Sequence, residues 1–157
     1  MSIDFLIKAL PKSKFDELLE LTDRELANRH AKWITTEVNP GYPCRVSLID
    51  ANVGEKVLVL PFTHHDVASP YRASGPIFVR ENAKTAKLAI NKIPKMLRHR
   101  LLSVRAYNSQ SIMIGAEVLQ GNEIEAVIER QLQNSDVEYL HIHNANPGCF
   151  NCSVYRA

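Results

Sequence analysis

Short apolar segments of strand length recur along most of the chain, separated by prolines, glycines and asparagines. Apolar segments of this length are typical of strands, and such breakers are typical of turns. Two segments, 57–60 and 112–116, are apolar at every position, so we expect them to be central strands covered on both faces. The predicted strands span residues 5–10, 33–38, 44–50, 56–62, 76–80, 101–107, 112–119, 137–143 and 149–155.

Helical spacing of apolar residues is confined to a few places. It is clearest over residues 124–132, where apolar side chains recur three and four positions apart and predict an amphipathic helix. A shorter helix is expected after Ser13, which is a typical N-cap residue. Residues 23–30 predict one or two further helical turns. The segments 83–90 and 94–100 are expected to be helical or irregular.

These elements predict a single α+β domain, residues 1–157, in which two or three helices pack on a sheet. The sheet is largely antiparallel, and it is either open or curled into a barrel-like form. A chain of 157 residues can bury about two-thirds of its unfolded surface. The apolar fraction of 45% is ordinary for a globular protein, so the fold needs neither a disulfide nor a structural metal.

Charge and cysteine content narrow the expected partners and location. The net charge is +2 and no dense run of lysine or arginine occurs, so we expect no nucleic-acid partner. No apolar stretch approaches the about 20 residues that span a bilayer, so we expect no membrane partner. The N-terminus does not resemble a secretory signal, and three cysteines is an odd number, which favours reduced thiols in the cytoplasm. The oligomeric state stays open.

The C-terminal tail concentrates histidine and cysteine around one turn. Residues 144–148 form a compact Asn-Ala-Asn-Pro-Gly turn, so the flanking segments are expected to pair as a hairpin. In the simplest register His143 lies opposite Cys149, with His141 on the same face. Phe150 and Cys152 then fall on the opposite, apolar face. Cys152 is therefore expected to be a core residue.

This arrangement leaves three interpretations of the tail. Cys149 and His143 could form a thiol–imidazole pair, in which Cys149 is the nucleophile and His141 or Tyr139 assists in proton transfer. Alternatively, the residues are only the polar face of a hairpin. A structural zinc site would also need Cys152, which a flat hairpin places behind the sheet. We therefore predict no metal and no other cofactor, and we keep the zinc site as an alternative.

A second group of residues is rich in arginine. Ser103, Arg105 and Tyr107 share one face of their predicted strand. An arginine on an inward face needs an anion, so several converging arginines would select a carboxylate or phosphate. At most one of the adjacent His64 and His65 is expected to join them. The predicted ligand-binding residues are Arg45, Tyr71, Arg72, Arg80 and Arg105.

Several segments, taken in order, resemble one known family. They are residues 43–50, 54–60, 69–81, 102–107, 143–145 and 148–149, and the most specific is the Ser-Pro-Tyr-Arg to Gly-Pro-Ile-Phe segment that begins at Ser69. Over nearly its whole length the chain resembles the family called domain of unknown function 1203, which is found largely in bacteria. The resemblance implies a single compact domain, and it implies no activity.

Two classes of function are compatible with these residues. The protein could be a small enzyme in which arginines hold an anionic substrate while Cys149 and the tail histidines act on it. It could instead be a non-catalytic binding or sensing module for a small anionic molecule. A phosphate-binding glycine loop, a Gly-x-Ser-x-Gly elbow and a His-Glu-x-x-His motif are all missing, which excludes several large enzyme classes.

Overall fold

The computed structural model describes residues 2–157, which form one α+β domain with eight strands in two sheets. The strands are β1 (Phe5–Lys8), β2 (Lys32–Thr35), β3 (Lys56–His65), β4 (Ala73–Arg80), β5 (Leu101–Tyr107), β6 (Met113–Gln120), β7 (Tyr139–Asn144) and β8 (Phe150–Arg156). The helices are α1 (Asp16–Leu19), α2 (Asp23–Asn28), α3 (Lys95–Arg98) and α4 (Ile124–Gln133), with short 3-10 helices at Lys12–Lys14 and Gly121–Glu123.

The larger sheet has five antiparallel strands in the order β1-β8-β7-β5-β6. Its apolar face packs against α4, whose buried residues have the predicted helical spacing. Val104 lies opposite Ile142, and Ile142 lies opposite Cys152 in the next strand. Cys152 is fully buried in this core, as predicted. The predicted helix over residues 124–132 is confirmed.

The smaller sheet has the order β2-β3-β4 and covers a second core with α1 and α2. Thr22 begins α2 with a capping box, because its hydroxyl accepts from the Glu25 backbone and the Glu25 carboxylate accepts from the Thr22 backbone. The prediction for Ser13 was wrong. Ser13 lies inside the first 3-10 helix, and neither that helix nor α1 has a side-chain cap.

Residues 44–50 do not form the predicted strand. They lie in a loop in which the chain turns back on itself: the Leu48 amide donates to the Cys44 carbonyl, and Leu48 adopts a positive φ of 54°. In this segment apolar residues alternate with polar ones because the loop places its apolar side chains in two separate cores. Cys44 and Val46 are buried in the core of the smaller sheet, whereas Leu48 is buried in the core of the larger sheet.

Both fully apolar segments were predicted to be central strands, and this was correct for one of them. β3 is central, between β2 and β4, but β6 is an edge strand of the larger sheet. Val118 is 62% exposed and Ile114 is 41% exposed, so β6 is not covered on both faces. Over residues 2–157 the two sheets stay open, and no closed barrel forms.

Candidate functional site

Polar side chains line the face of the larger sheet that lies opposite its main core. Cross-strand pairing between β5 and β7 places Ser103 opposite His143 and Arg105 opposite His141. Directly opposed residues share a face, so these four side chains form one polar patch. Tyr107 and Tyr139 continue it, with their rings stacked at 5.2 Å between centroids. The sequence prediction that Ser103, Arg105 and Tyr107 share a face is therefore confirmed.

The register of the C-terminal hairpin differs from the predicted one. His141 lies opposite Ser153, and His143 lies opposite Phe150 rather than Cys149. The register shifts because a bulge leaves Asn151 as an extra residue of β8, fully buried. Phe150 consequently reaches the histidine face instead of the predicted apolar face, and its ring lies 4.9 Å from that of His141.

The end of β3 brings two further histidines to this face. The His64 ring lies 5.0 Å from the His143 ring, and the His65 ring lies 5.0 Å from the His141 ring. The expectation that only one of the adjacent histidines joins the site was wrong. β3 has an irregular register between Phe62 and His65, which breaks the strict alternation of side chains.

Hydrogen bonds fix the proton positions of two of these rings. The Nδ1 atom of His143 lies 2.9 Å from the Gly148 carbonyl oxygen. A carbonyl only accepts, so Nδ1 carries the proton and Nε2 of the neutral ring carries a lone pair. In the same way, His65 donates from Nδ1 to the Tyr71 carbonyl and its Nε2 accepts from the Tyr139 hydroxyl at 2.5 Å. His65 is thus held at both nitrogens.

Several buried polar atoms at this site have no hydrogen-bond partner among the described residues. They are His64 Nδ1, His141 Nδ1, His143 Nε2 and Asn151 Oδ1. Folded proteins leave few such atoms, and each one calls for a partner such as an ordered water, an ion or a ligand, or for a catalytic role. Four of them around the same hairpin therefore favour a binding site.

Burial keeps the histidines neutral. Desolvation lowers the pKa of His141 to about 2, and the neighbouring histidines and Arg105 act in the same direction. Desolvation also lowers the pKa of His143 to about 3, against the hydrogen bond to Gly148, which raises it. For His64, burial lowers the pKa to about 4, and His65 and Arg105 act in the same direction. At neutral pH these rings offer lone pairs and N–H groups rather than charge.

Two arginines lie near the histidines. Arg45 is fully buried; its Nε donates to the Phe150 carbonyl at 2.6 Å and its Nη1 to the Pro43 carbonyl at 2.5 Å. Burial lowers the pKa of Arg45, whereas the adjacent Cys149 raises it. Arg105 is partly exposed and donates to the Ser103 hydroxyl at 3.3 Å. Within residues 2–157 neither guanidinium has a carboxylate within ion-pair distance.

The other predicted ligand-binding residues lie in different surroundings. Arg72 forms an exposed ion pair with Asp66, and Arg80 forms a partly buried ion pair with Glu55. Tyr71 is at the rim of the site: it is 37% exposed, and its backbone carbonyl holds His65. The structure therefore brings Arg45, Arg105 and Tyr71 to the tail hairpin, while Arg72 and Arg80 already have carboxylate partners.

Cys149 is partly exposed, unlike Cys44 and Cys152, which are buried. Its Sγ accepts a hydrogen bond from Asn144 Nδ2 at 3.2 Å, and Asn144 is held in turn by Asn151 at 2.8 Å. Arg45 lies against the same sulfur. The structure thus places an amide donor and a guanidinium at Cys149, whereas His143 binds the Gly148 carbonyl.

Sequence reasoning did not find the two asparagines or Phe150 as parts of this site. One signal was present: asparagine is uncommon inside strands, and Asn144 and Asn151 flank the turn in segments that otherwise read as strands. The buried positions of these amides depend on the bulge in β8, which the residue pattern does not encode.

Across residues 2–157 no group of three or more histidine, cysteine, aspartate or glutamate side chains is placed to hold a metal ion. Cys152, which the zinc alternative requires, lies in the core on the other side of the sheet. None of the helices in the described part of the chain is long and apolar enough to cross a membrane.

Comparison with known proteins identifies a family. No curated protein and no solved structure matches the chain. A family described as "Protein of unknown function (DUF1203)" matches residues 41–156. The matched region begins after β2 and includes every residue of the site described above. Because the match covers well over half of the chain, the protein belongs to the DUF1203 family.

Proposed function

We propose that the protein binds a small anionic molecule between its two sheets. The binding residues, called here the inter-sheet site, are Arg45, Arg105, His64, His141 and His143. One observation carries the proposal: two guanidinium groups lie close enough to His143 to act on its charge, and neither has a carboxylate within ion-pair distance among the described residues. Such uncompensated charge near a buried surface is stabilised by an anion.

The neutral histidines restrict the chemistry of this ligand further. Arg105 supplies donors for anionic oxygens, and its planar fork suits a carboxylate or a phosphate. His143 Nε2 is a buried acceptor without a partner, so it favours a ligand that also carries a hydroxyl or another hydrogen-bond donor. A hydroxy acid or a hydrogen phosphate group satisfies both requirements. Tyr71 and Tyr139 would form the rim of such a site.

Thermal unfolding with anions tests the proposal. We expect phosphate, compared with chloride at the same ionic strength, to raise the melting temperature by about 4 °C, because a ligand bound only to the folded state stabilises it. Arg105→Met should remove most of this shift. Arg130→Met is the matched control, since Arg130 pairs with Glu117 on the surface and should leave the shift unchanged.

Two results would contradict anion binding. One is a wild-type protein that shows the same melting temperature in phosphate and chloride. The other is an equal loss of the phosphate shift in the two arginine variants, which would indicate a general effect of surface charge rather than a site at Arg105.

A second candidate function is covalent catalysis on the same anionic substrate, with Cys149 as nucleophile. It is favoured by the contacts at the sulfur, to which the Asn144 amide donates a hydrogen bond and against which the Arg45 guanidinium lies. Cysteine nucleophiles are found beside such donors and cations. We propose that His143 and His141 then serve the substrate as acid–base groups, while Arg45 and Asn144 activate the thiol. The three free cysteines support a reducing compartment for this chemistry, such as the bacterial cytoplasm.

Alkylation kinetics test this second candidate. At about pH 6 we expect iodoacetamide to modify Cys149 on the order of tenfold faster than the thiol of glutathione, because the thiolate is the reactive form. Cys44 and Cys152 should stay unmodified in the folded protein since they are buried. Asn144→Ala should slow the reaction, and the exposed Asn82→Ala should not. Equal rates for Cys149 and glutathione would rule out an activated thiol.

A further inference from the structure

A cavity lies apart from the inter-sheet site, between the loop of residues 43–52 and the segment that leads into α3. Its volume is about 460 Å³, which is in the range of cavities that hold small organic molecules. Most of its wall is apolar and comes from Leu48, Ile49, Leu88, Ile93 and Met96. An apolar interior of this size favours a ligand with a hydrocarbon or aromatic body.

The carboxylate in the wall of this cavity is already neutralised. Asp50 accepts from both terminal nitrogens of Arg100, at 2.5 and 3.0 Å, and His99 Nε2 lies 3.2 Å from the same carboxylate. Asp50 is also nearly buried, with 8% of its surface exposed. The negative charge of Asp50 is therefore neutralised by Arg100, and the cavity has little attraction for a cationic ligand.

Two lysines at the cavity are not neutralised. Lys92 and Lys95 line it and are exposed, and within residues 2–157 neither has a carboxylate within ion-pair distance. Ile49, which lines the cavity, is 55% exposed, and Ile90, two residues before Lys92, is 56% exposed. The exposed apolar surface matches the apolar end of an amphipathic anion, and the uncompensated positive charge matches its negatively charged end.

The backbone around this cavity has two unusual conformations. Leu48 and Asn91 both have positive φ angles, of 54° and 66°. Such a conformation costs energy for Leu48, whereas asparagine adopts it readily and Asn91 is held by hydrogen bonds to Asp4 and Phe5. Leu48 lines the cavity, and Asn91 directly precedes Lys92. This strain is independent of the charge and polarity of the wall.

We propose that this cavity binds an amphipathic carboxylate, with its alkyl or aryl body among the apolar side chains and its carboxylate at Lys92 and Lys95. The site is separate from the inter-sheet site and does not depend on what binds there. The ligand class follows from an apolar interior, a neutralised Asp50 and two free cations at the mouth.

The proposal is tested by calorimetric titration with straight-chain carboxylates from butanoate to decanoate. Each carboxylate is kept below its critical micelle concentration. Burial of each methylene should tighten binding about fourfold, until the cavity is filled and the gain stops. Decyltrimethylammonium, which has the same tail and the opposite charge, should bind more weakly than decanoate. Acetate, which lacks the tail, should not bind measurably.

Variants locate the site on the chain. Lys92→Gln with Lys95→Gln should weaken decanoate binding by roughly fivefold, as expected for two partly exposed ion pairs. Lys32→Gln with Lys56→Gln removes the same charge from the smaller sheet and should have no effect. Ile49→Trp places a larger side chain at the mouth and should shorten the longest carboxylate that still gains affinity.

Three outcomes would overturn this inference. The first is no binding of decanoate by the wild-type protein. The second is equal binding of decanoate and decyltrimethylammonium, which would indicate an apolar surface without selection for charge. The third is equal weakening by the two lysine pairs, which would place the carboxylate away from Lys92 and Lys95.

Discussion

Acidification from about pH 7.5 to about pH 5.5 is expected to lower the free energy of unfolding by on the order of 2–3 kcal/mol through His141 and His143 alone, and His64 adds to this loss. The reason is the burial of His141 and His143, whose pKa values fall from 6.5 to about 2 and about 3 in the folded protein. The unfolded chain takes up protons below its ordinary histidine pKa, whereas the folded protein does not. The free energy of unfolding is therefore not reduced by these groups well above pH 6.5, and it falls progressively as the pH drops below this value.

The groups that surround the two histidines act in the same direction. His64 and His65 of β3 face them, Arg105 lies beside them on β5, and no carboxylate is among the groups that shift their pKa values. Protonation in the folded state therefore finds no counter-charge. Urea unfolding at a series of pH values measures the slope of stability against pH, which does not depend on the absolute stability of a variant.

Variants test whether these histidines cause the slope. His143→Asn keeps a donor for the Gly148 carbonyl and removes one titrating group, so it should reduce the slope by about 1 kcal/mol per pH unit below pH 6. His30→Asn is the control, because His30 is exposed and asparagine tolerates its positive φ of 60°. Two results would contradict this explanation. One is a wild-type free energy of unfolding that does not change over the acidification range given above, and the other is the same change of slope in both histidine variants.

Gly121→Ala is expected to destabilise the protein by about 3 kcal/mol, through overpacking against backbone. A Cβ atom at Gly121 would lie 1.7 Å from the Leu97 carbonyl oxygen and 3.0 Å from that of Arg100. Both atoms belong to the backbone around the end of α3, so no side chain can rotate away. The Gly121 amide also donates to the Arg100 carbonyl at 2.8 Å, which fixes this close approach.

The measurement is thermal unfolding, in which Gly121→Ala should lower the melting temperature by about 10 °C. Gly75→Ala is the matched control. Gly75 lies in β4, its φ is not in the left-handed region, and an added Cβ would meet no atom within 4 Å. Alanine there should be neutral or slightly stabilising. Equal melting temperatures for the two variants would show that α3 does not approach Gly121 closely.

Local elements were largely predictable from the sequence, but their partners were not. The spacing of Ile124, Val127 and Ile128 predicted α4, and the segment 101–107 coincides with β5. A residue pattern shows which face of one strand is apolar, yet it does not show which strand lies beside it. The division into two sheets and the edge position of β6 therefore could not be derived.

For the candidate site, too, the sequence identified individual residues but not how they pair. Sequence reasoning selected Arg45, Arg105, His141, His143 and Cys149, and the structure brings them to one region. It paired them wrongly because a one-residue bulge at Asn151 shifts the register of β8 and brings Phe150 to the histidine face, while Cys152 and Ser153 stay on their predicted faces. The roles of these residues in binding and catalysis stay predictions.

Phosphate titration of protein labelled with ¹⁵N in its histidine side chains tests the anion site most directly. We expect the imidazole signals of His141 and His143 to shift in a saturable manner in the wild-type protein and to stay unchanged in Arg105→Met, while the signal of exposed His30 stays in place in both. A shift confined to His30 and His99, or no shift at all, would contradict an anion site between the two sheets.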